Sequence, residues 1–161
     1  MKDLLSKLSS YNLFNYLLPG VIFAVLTKEL THFSFLQDNI ILGAFLYYFI
    51  GMVISRFGSL IIEPLLKKVS FLKFADYKDF VVASKKDEKI ELLSEVNNSY
   101  RTFCSLFVLL GLLKIYELFE NKYPLLKGWS AVIIIVLLLA MFLFSYRKQT
   151  NYVKKRIDAN R

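Results

Sequence analysis

The sequence predicts an all-α integral membrane protein with four transmembrane helices arranged as two helical hairpins. Hydrophobic residues make up 56% of its 161 residues, more than is usual for a soluble domain. The charged residues are grouped between four long apolar stretches, and one of these, residues 129–146, contains no charge. Each stretch approaches the roughly 20 helical residues needed to cross a hydrocarbon core about 30 Å thick.

The predicted spans divide the chain into a single transmembrane domain with two polar segments. The polar segments are an insert at residues 65–100 and a basic tail at residues 147–161. The four spans are placed at about residues 11–27, 40–62, 102–119 and 129–146.

The first span follows Lys2 and Lys7, as the apolar region of a signal peptide would. It is interrupted by Asn12, Asn15 and the pair Pro19-Gly20, and no small-residue cleavage site follows. We therefore expect a retained span rather than a cleaved leader.

The residues at the two ends of the insert predict how the second and third spans end and begin. Pro64 is predicted to close or kink the second span, because proline lacks a backbone N–H and clashes with the preceding turn. The later part of the insert, KKDEKIELLSEVNNSYR, has apolar residues at helical spacing. It is predicted to form a helix that continues into the third span.

The distribution of basic residues predicts that both termini and the insert are cytoplasmic. Sixteen of the 21 lysines and arginines lie in the N-terminal segment, the insert and the tail, and only Lys28, Lys122 and Lys127 lie in the two other loops. Cytoplasmic loops carry such an excess. The net charge of +8 is interpreted as attraction to anionic lipid headgroups, and no direct binding of nucleic acid is expected.

The stretch YNLFNYLLPGVIF places two amides, Asn12 and Asn15, on one face of the first span. They are expected at the same depth as Arg56 of the second span, just inside the inner leaflet. The sequence therefore predicts an intramembrane polar cluster of these three residues. Two roles are open: hydrogen bonds that join helices, or part of the lining of a pore.

Further polar and small residues in the spans give additional candidates. Lys114 and Glu117 are three residues apart and are expected to pair on one face, as surface pairing or as the lining of a pore or groove. Small residues recur along one face of the second span and predict close helix packing. These residues are Gly43, Gly51, Ser55 and Ser59.

At the predicted cytoplasmic interface, Glu63 is expected within reach of Lys67 and Lys68. Elsewhere the sequence offers little for catalysis, because it has one cysteine, Cys104, one histidine, His32, and no glycine-rich phosphate loop. No nucleophile, base and orienting residue can be named together. We therefore expect no enzyme, no cofactor and no metal site.

The short four-span architecture, with SYNLFNYLLPG at the first span as its most distinctive stretch, resembles the membrane subunits of bacterial anti-phage defence systems of the Kiwa type. The resemblance implies a homo-oligomer in the bacterial inner membrane. Such a subunit would sense envelope perturbation during infection and dock a cytoplasmic effector.

Three functions follow from these observations. The first is a non-enzymatic inner-membrane protein that oligomerises through its second span and docks a cytoplasmic partner through its insert and tail. The second is an oligomeric ion channel or membrane-permeabilising pore with Asn12, Asn15 and Arg56 near its lining. The third is the anchor subunit of a transporter.

Overall fold

A computed structural model describes residues 12–160, and in that range the chain folds into five helices with no β-strand. All but α3 are long and apolar enough to cross a membrane, which confirms the predicted all-α membrane fold. Lys2, Lys7, Tyr11 and Arg161, which entered the predicted topology, lie outside the described residues. The helices are α1 (Leu13–Leu30), α2 (Ile40–Lys68), α3 (Tyr77–Lys86), α4 (Lys89–Lys122) and α5 (Leu125–Ala159).

The last two long helices extend well beyond the spans predicted from hydropathy. α4 is one helix of 34 residues, so the predicted continuation of the insert into the third span is confirmed. α5 has 35 residues and continues through the basic tail. Between α2 and α4, the short helix α3 lies beside the extended ends of α4 and α5.

Both prolines inside helices follow π-helical turns. Leu13–Leu17 precedes Pro19, and Gly58–Ile62 precedes Pro64. A proline ring clashes with the carbonyl four residues earlier, and in both cases that carbonyl lies within the wider π turn, which makes room for the ring. Pro64 does not end α2, which continues to Lys68, and a kink at Pro64 stays a prediction.

α1 and α2 form the closest helix pair of the molecule. A Cβ atom added to Gly20 would overlap the carbonyl oxygen of Tyr47, and one added to Gly51 would overlap that of Tyr16. The two backbones therefore touch directly, as small residues permit in membrane helices. Asn39 begins α2 by accepting hydrogen bonds from the amides of Ile41 and Leu42, both at 3.0 Å.

The core lies between α1, α2 and α4, where Phe23, Ile54, Leu106 and Leu110 are buried together. α5 packs more loosely, and none of its residues is buried. Phe142 of α5 stacks on Phe49 of α2 with ring centres 6.2 Å apart. The predicted second hairpin, α4 with α5, is therefore open compared with the first.

Candidate functional site

Polar contacts gather at the two ends of the helix bundle, and the first group surrounds Glu63. We name the Glu63 cluster after this carboxylate, which is only 6% exposed although it sits near the end of α2. Arg101 of α4 donates to Glu63 Oε2 at 2.6 Å, and Lys67 donates to Oε1 at 3.0 Å. The sequence predicted the contact with Lys67 but not the one with Arg101. Lys68 is exposed and forms no ion pair within residues 12–160.

Lys148 of α5 completes the Glu63 cluster. Its Nζ lies 3.8 Å from Glu63 Oε1 and donates to the Ser59 hydroxyl at 2.8 Å and the Ser59 carbonyl at 2.5 Å. An added Cβ at Gly58 would overlap the hydroxyl of Ser105 on α4, so α2 and α4 are in close contact here. The cluster therefore joins α2, α4 and α5 at one end of the bundle.

The second group, the His32 cluster, lies at the opposite end of α4. The backbone amide of His32 donates to Glu117 Oε1 at 2.6 Å, and the ring Nε2 lies 3.0 Å from Glu120 Oε2. Lys114 forms an ion pair with Glu117 and donates to the Leu30 carbonyl at 2.8 Å. These contacts tie the loop after α1 to α4.

Two hydroxyl groups extend the His32 cluster to α5. The hydroxyls of Tyr116 and Ser130 are 2.6 Å apart, and Ser130 also donates to Glu120 Oε1 at 3.2 Å. In the His32 cluster two carboxylates, Glu117 and Glu120, face one lysine, Lys114. In the Glu63 cluster three cations face one carboxylate. A lining of a pore by Lys114 and Glu117 stays a prediction.

The first-span asparagine Asn15 is buried, but the structure gives it a partner that the sequence did not suggest. Its side-chain oxygen accepts a hydrogen bond of 3.1 Å from Thr102 of α4. No hydrogen bond joins Arg56 to Asn12 or Asn15 among the described residues. Asn15 therefore links α1 to α4, and a joint lining by the three predicted residues stays a prediction.

The small residues of the second span, Gly43, Gly51, Ser55 and Ser59, are all buried within this one chain. Gly51 faces α1 and Ser59 binds Lys148, while Gly43 lies against the ring of Tyr47 in its own helix. This face thus contributes to packing within the chain, and oligomerisation through the second span stays a prediction.

An apolar cavity of about 930 Å³ opens between α2, α4 and α5. Phe57, Leu60 and Ile61 line it from α2, and Leu109 to Tyr116 line it from α4. On α5 the lining residues follow one face from Ser130 to Phe144. The cavity therefore extends from the hydroxyls of the His32 cluster toward the Glu63 cluster.

A separate apolar face lies on the part of α4 before the third predicted span. Leu92, Leu93, Val96 and Tyr100 are between 42% and 68% exposed. Leu92, Val96 and Tyr100 are spaced by four residues, so they lie on one side of the helix. We call these four residues the α4 face.

Sequence reasoning missed the long-range partners because they are isolated polar residues without a motif. In the sequence, Arg101 and Lys148 are two of many basic residues next to predicted spans, and His32 lies in the short segment between two spans. Within the part of the chain that the structure describes, no group of three or more His, Cys, Asp or Glu side chains is arranged to bind a metal. The two ring nitrogens of His32 contact different carboxylates: Nδ1 lies 2.9 Å from Glu117 Oε1, and Nε2 lies 3.0 Å from Glu120 Oε2.

The function of this chain has to be inferred from its fold and from the contacts described above. No family model, curated protein or solved structure matches the chain. The chain is a multi-span membrane protein with four long apolar helices, and a polar cluster at each end of the bundle joins some of them.

Proposed function

We propose that this chain is a non-enzymatic bacterial inner-membrane protein that docks a cytoplasmic protein partner on the α4 face. The observation that carries the proposal is the exposure of four apolar side chains outside the predicted membrane spans. Apolar residues that neither lipid nor the protein core covers are typical of surfaces that bind another protein. The positive-inside distribution supports a cytoplasmic location for this surface.

The surroundings of the α4 face favour a fixed docking surface. Tyr77 of α3 lies against Tyr152 of α5 with ring centres 6.2 Å apart, and Lys85 of α3 donates to Asn160 at 2.7 Å. Val81 of α3 is buried. The insert and the tail thus hold each other in place. The surface is therefore ordered before a partner binds, and binding does not have to order it.

Self-association and a role in anti-phage defence belong to the same proposal. The defence role follows from the resemblance to Kiwa-type membrane subunits. Self-association is proposed through the second span, as predicted from the sequence, and the uncovered side of α5 offers a further contact surface.

The test is the mass of the solubilised full-length protein, expressed alone and with each protein encoded beside it. We expect one neighbouring protein to increase the mass, and Leu93→Glu to abolish that increase. The control is Lys78→Glu, which introduces the same residue at an exposed cytoplasmic position on α3. A control such as Leu139→Glu would instead place a charge in lipid. An unchanged complex with Leu93→Glu would contradict docking on the α4 face.

An oligomeric pore is the alternative from another class. Within residues 12–160 the buried apolar side chains Phe23, Ile54, Leu106 and Leu110 lie between the two polar ends. A pore would therefore need a ring of subunits. Arg56→Leu should change ion conductance in a planar bilayer if the pore exists, and should be tolerated if the chain is a docking protein. An anchor subunit of a transporter, the third alternative, would be unstable without its large partner.

A further inference from the structure

The cavity between α2, α4 and α5 has the size and shape of a ligand site. Its volume of about 930 Å³ lies within the range of small-molecule pockets, about 300–1,000 Å³. Along α5 it extends from Ser130 to Phe144, which at about 1.5 Å per residue is roughly 21 Å. This length exceeds half of a hydrocarbon core about 30 Å thick. An extended acyl chain matches both dimensions.

One end of the cavity carries an excess of positive charge. Lys148 follows Phe144 by one helical turn on α5, and Arg56 precedes Leu60 by one turn on α2. The charges of Arg56, Arg101 and Lys67 all act on the Lys148 ammonium. Glu63 is the acid that pairs with Lys67, Arg101 and Lys148, so with Arg56 this end carries four cations and one paired carboxylate.

Several donors at this end are not used by the protein itself. Arg56 has no hydrogen-bond or ion-pair partner among residues 12–160. The hydroxyl of Ser145 is buried and lacks a hydrogen-bond partner within the same range. Ser145 follows Met141 by one turn, and Met141 lines the cavity. An anionic oxygen at this position would receive hydrogen bonds and balance the charge.

From these features we infer that the cavity binds an anionic glycerophospholipid of the inner leaflet. One acyl chain occupies the space between α2, α4 and α5, and the phosphate lies against Arg56 and Lys148. Basic pockets between transmembrane helices on the cytoplasmic side recognise anionic headgroups in this way. The inference does not depend on the docking of a protein partner.

The charge excess distinguishes this occupant from others. A neutral lipid would leave the cations unbalanced, and an apolar helix from a second copy would bring no anion to them. The acid-rich His32 cluster at the opposite end makes a lipid of the reverse orientation unfavourable. The headgroup is therefore assigned to the Glu63 end.

The experiment is native mass spectrometry of the full-length protein in detergent, titrated with dioleoylphosphatidylglycerol or dioleoylphosphatidylcholine. We expect the anionic lipid to bind at least about tenfold more tightly, because each basic residue near a headgroup of net negative charge contributes about fivefold, whereas the choline ammonium cancels the phosphate charge of the other lipid. Equal binding of the two lipids would overturn the inference.

Two variants separate the headgroup site from the acyl-chain site. Arg56→Gln should weaken binding of the anionic lipid about fivefold, with Arg147→Gln, an exposed neighbour of Lys148, as the matched control with little effect. Ala140→Phe fills the cavity and should abolish binding of that lipid, whereas Leu139→Phe changes the next residue, which is 60% exposed and does not line the cavity.

The two variants also guard against misfolding. Arg56→Gln removes no contact made by described residues, so its folding should be unchanged by circular dichroism. If Ala140→Phe is folded and still binds the anionic lipid, the acyl chain lies elsewhere and the inference is wrong. Equal losses with Arg147→Gln and Arg56→Gln would reduce the site to general surface charge and would also overturn it.

Discussion

The two pairs of neighbouring spans are built in opposite ways. α1 and α2 touch through their backbones at Gly20 and Gly51, whereas α4 and α5 are joined near their ends and leave a cavity between them. α5 has the highest hydropathy of the four spans and is the least buried. In lipid, apolar side chains gain little by leaving the bilayer for one another, so small residues and polar contacts determine which helices pack closely. High hydropathy here marks contact with lipid rather than a core.

Removal of the Glu63 carboxylate should have the largest effect, because it anchors the loose pair. We expect Glu63→Gln to lower the free energy of unfolding by about 3 kcal/mol, the cost of leaving buried cations without their partner. Unfolding in mixed micelles, followed by circular dichroism, measures this change. Lys67→Gln removes one exposed partner of the same acid and should cost only about 0.5 kcal/mol. Equal effects of the two variants would show that the helices do not shield Glu63 from solvent.

A single methyl group added at Gly51 should disrupt the close packing of α1 against α2. Gly51→Ala places a Cβ against the backbone of α1, and we expect a loss of about 1–3 kcal/mol from overpacking. The matched control is Gly111→Ala, because no atom from elsewhere in residues 12–160 lies within 4 Å of the added Cβ. That change should instead stabilise α4 by about 0.5–1 kcal/mol, since alanine is the better helix former. Thermal unfolding in the same detergent compares them, and changes of the same sign would contradict the close backbone contact.

The smallest effect is expected at the other end of the open pair. Tyr116→Phe removes the hydroxyl that contacts Ser130 of α5 and should cost about 1 kcal/mol, the usual net value of one hydrogen bond. The cavity next to it should also become more accessible, which an increase in binding of an apolar fluorescent dye would detect. Tyr123→Phe, at an exposed tyrosine of the adjoining turn, is the control. A loss above about 3 kcal/mol would mean that this contact, and not the Glu63 cluster, holds α5.

Composition and hydropathy were sufficient for the fold class, the four spans and the helical path from the insert into α4. They could not identify the partners of Asn15, Glu63 or His32. Those partners depend on how each helix is rotated about its axis, and a helix that is apolar on all sides carries little periodic signal for that rotation. Arg56 and Asn15 were expected at one depth, but depth alone does not bring two side chains to the same side of a bundle. The choice between an end and a kink at Pro64 could not be made from the sequence, because the π turn before it was not visible in the pattern.

The continuity of α4 has a mechanical consequence. A helix of 34 residues is about 51 Å long at a rise of about 1.5 Å per residue. Glu117 lies near one end, tied to the loop at His32, and Leu93 lies near the other. Tilting such a rod by one degree about either end displaces the opposite end by about 1 Å. Because no break interrupts α4, a tilt of this helix would displace the loop at His32 and the α4 face together.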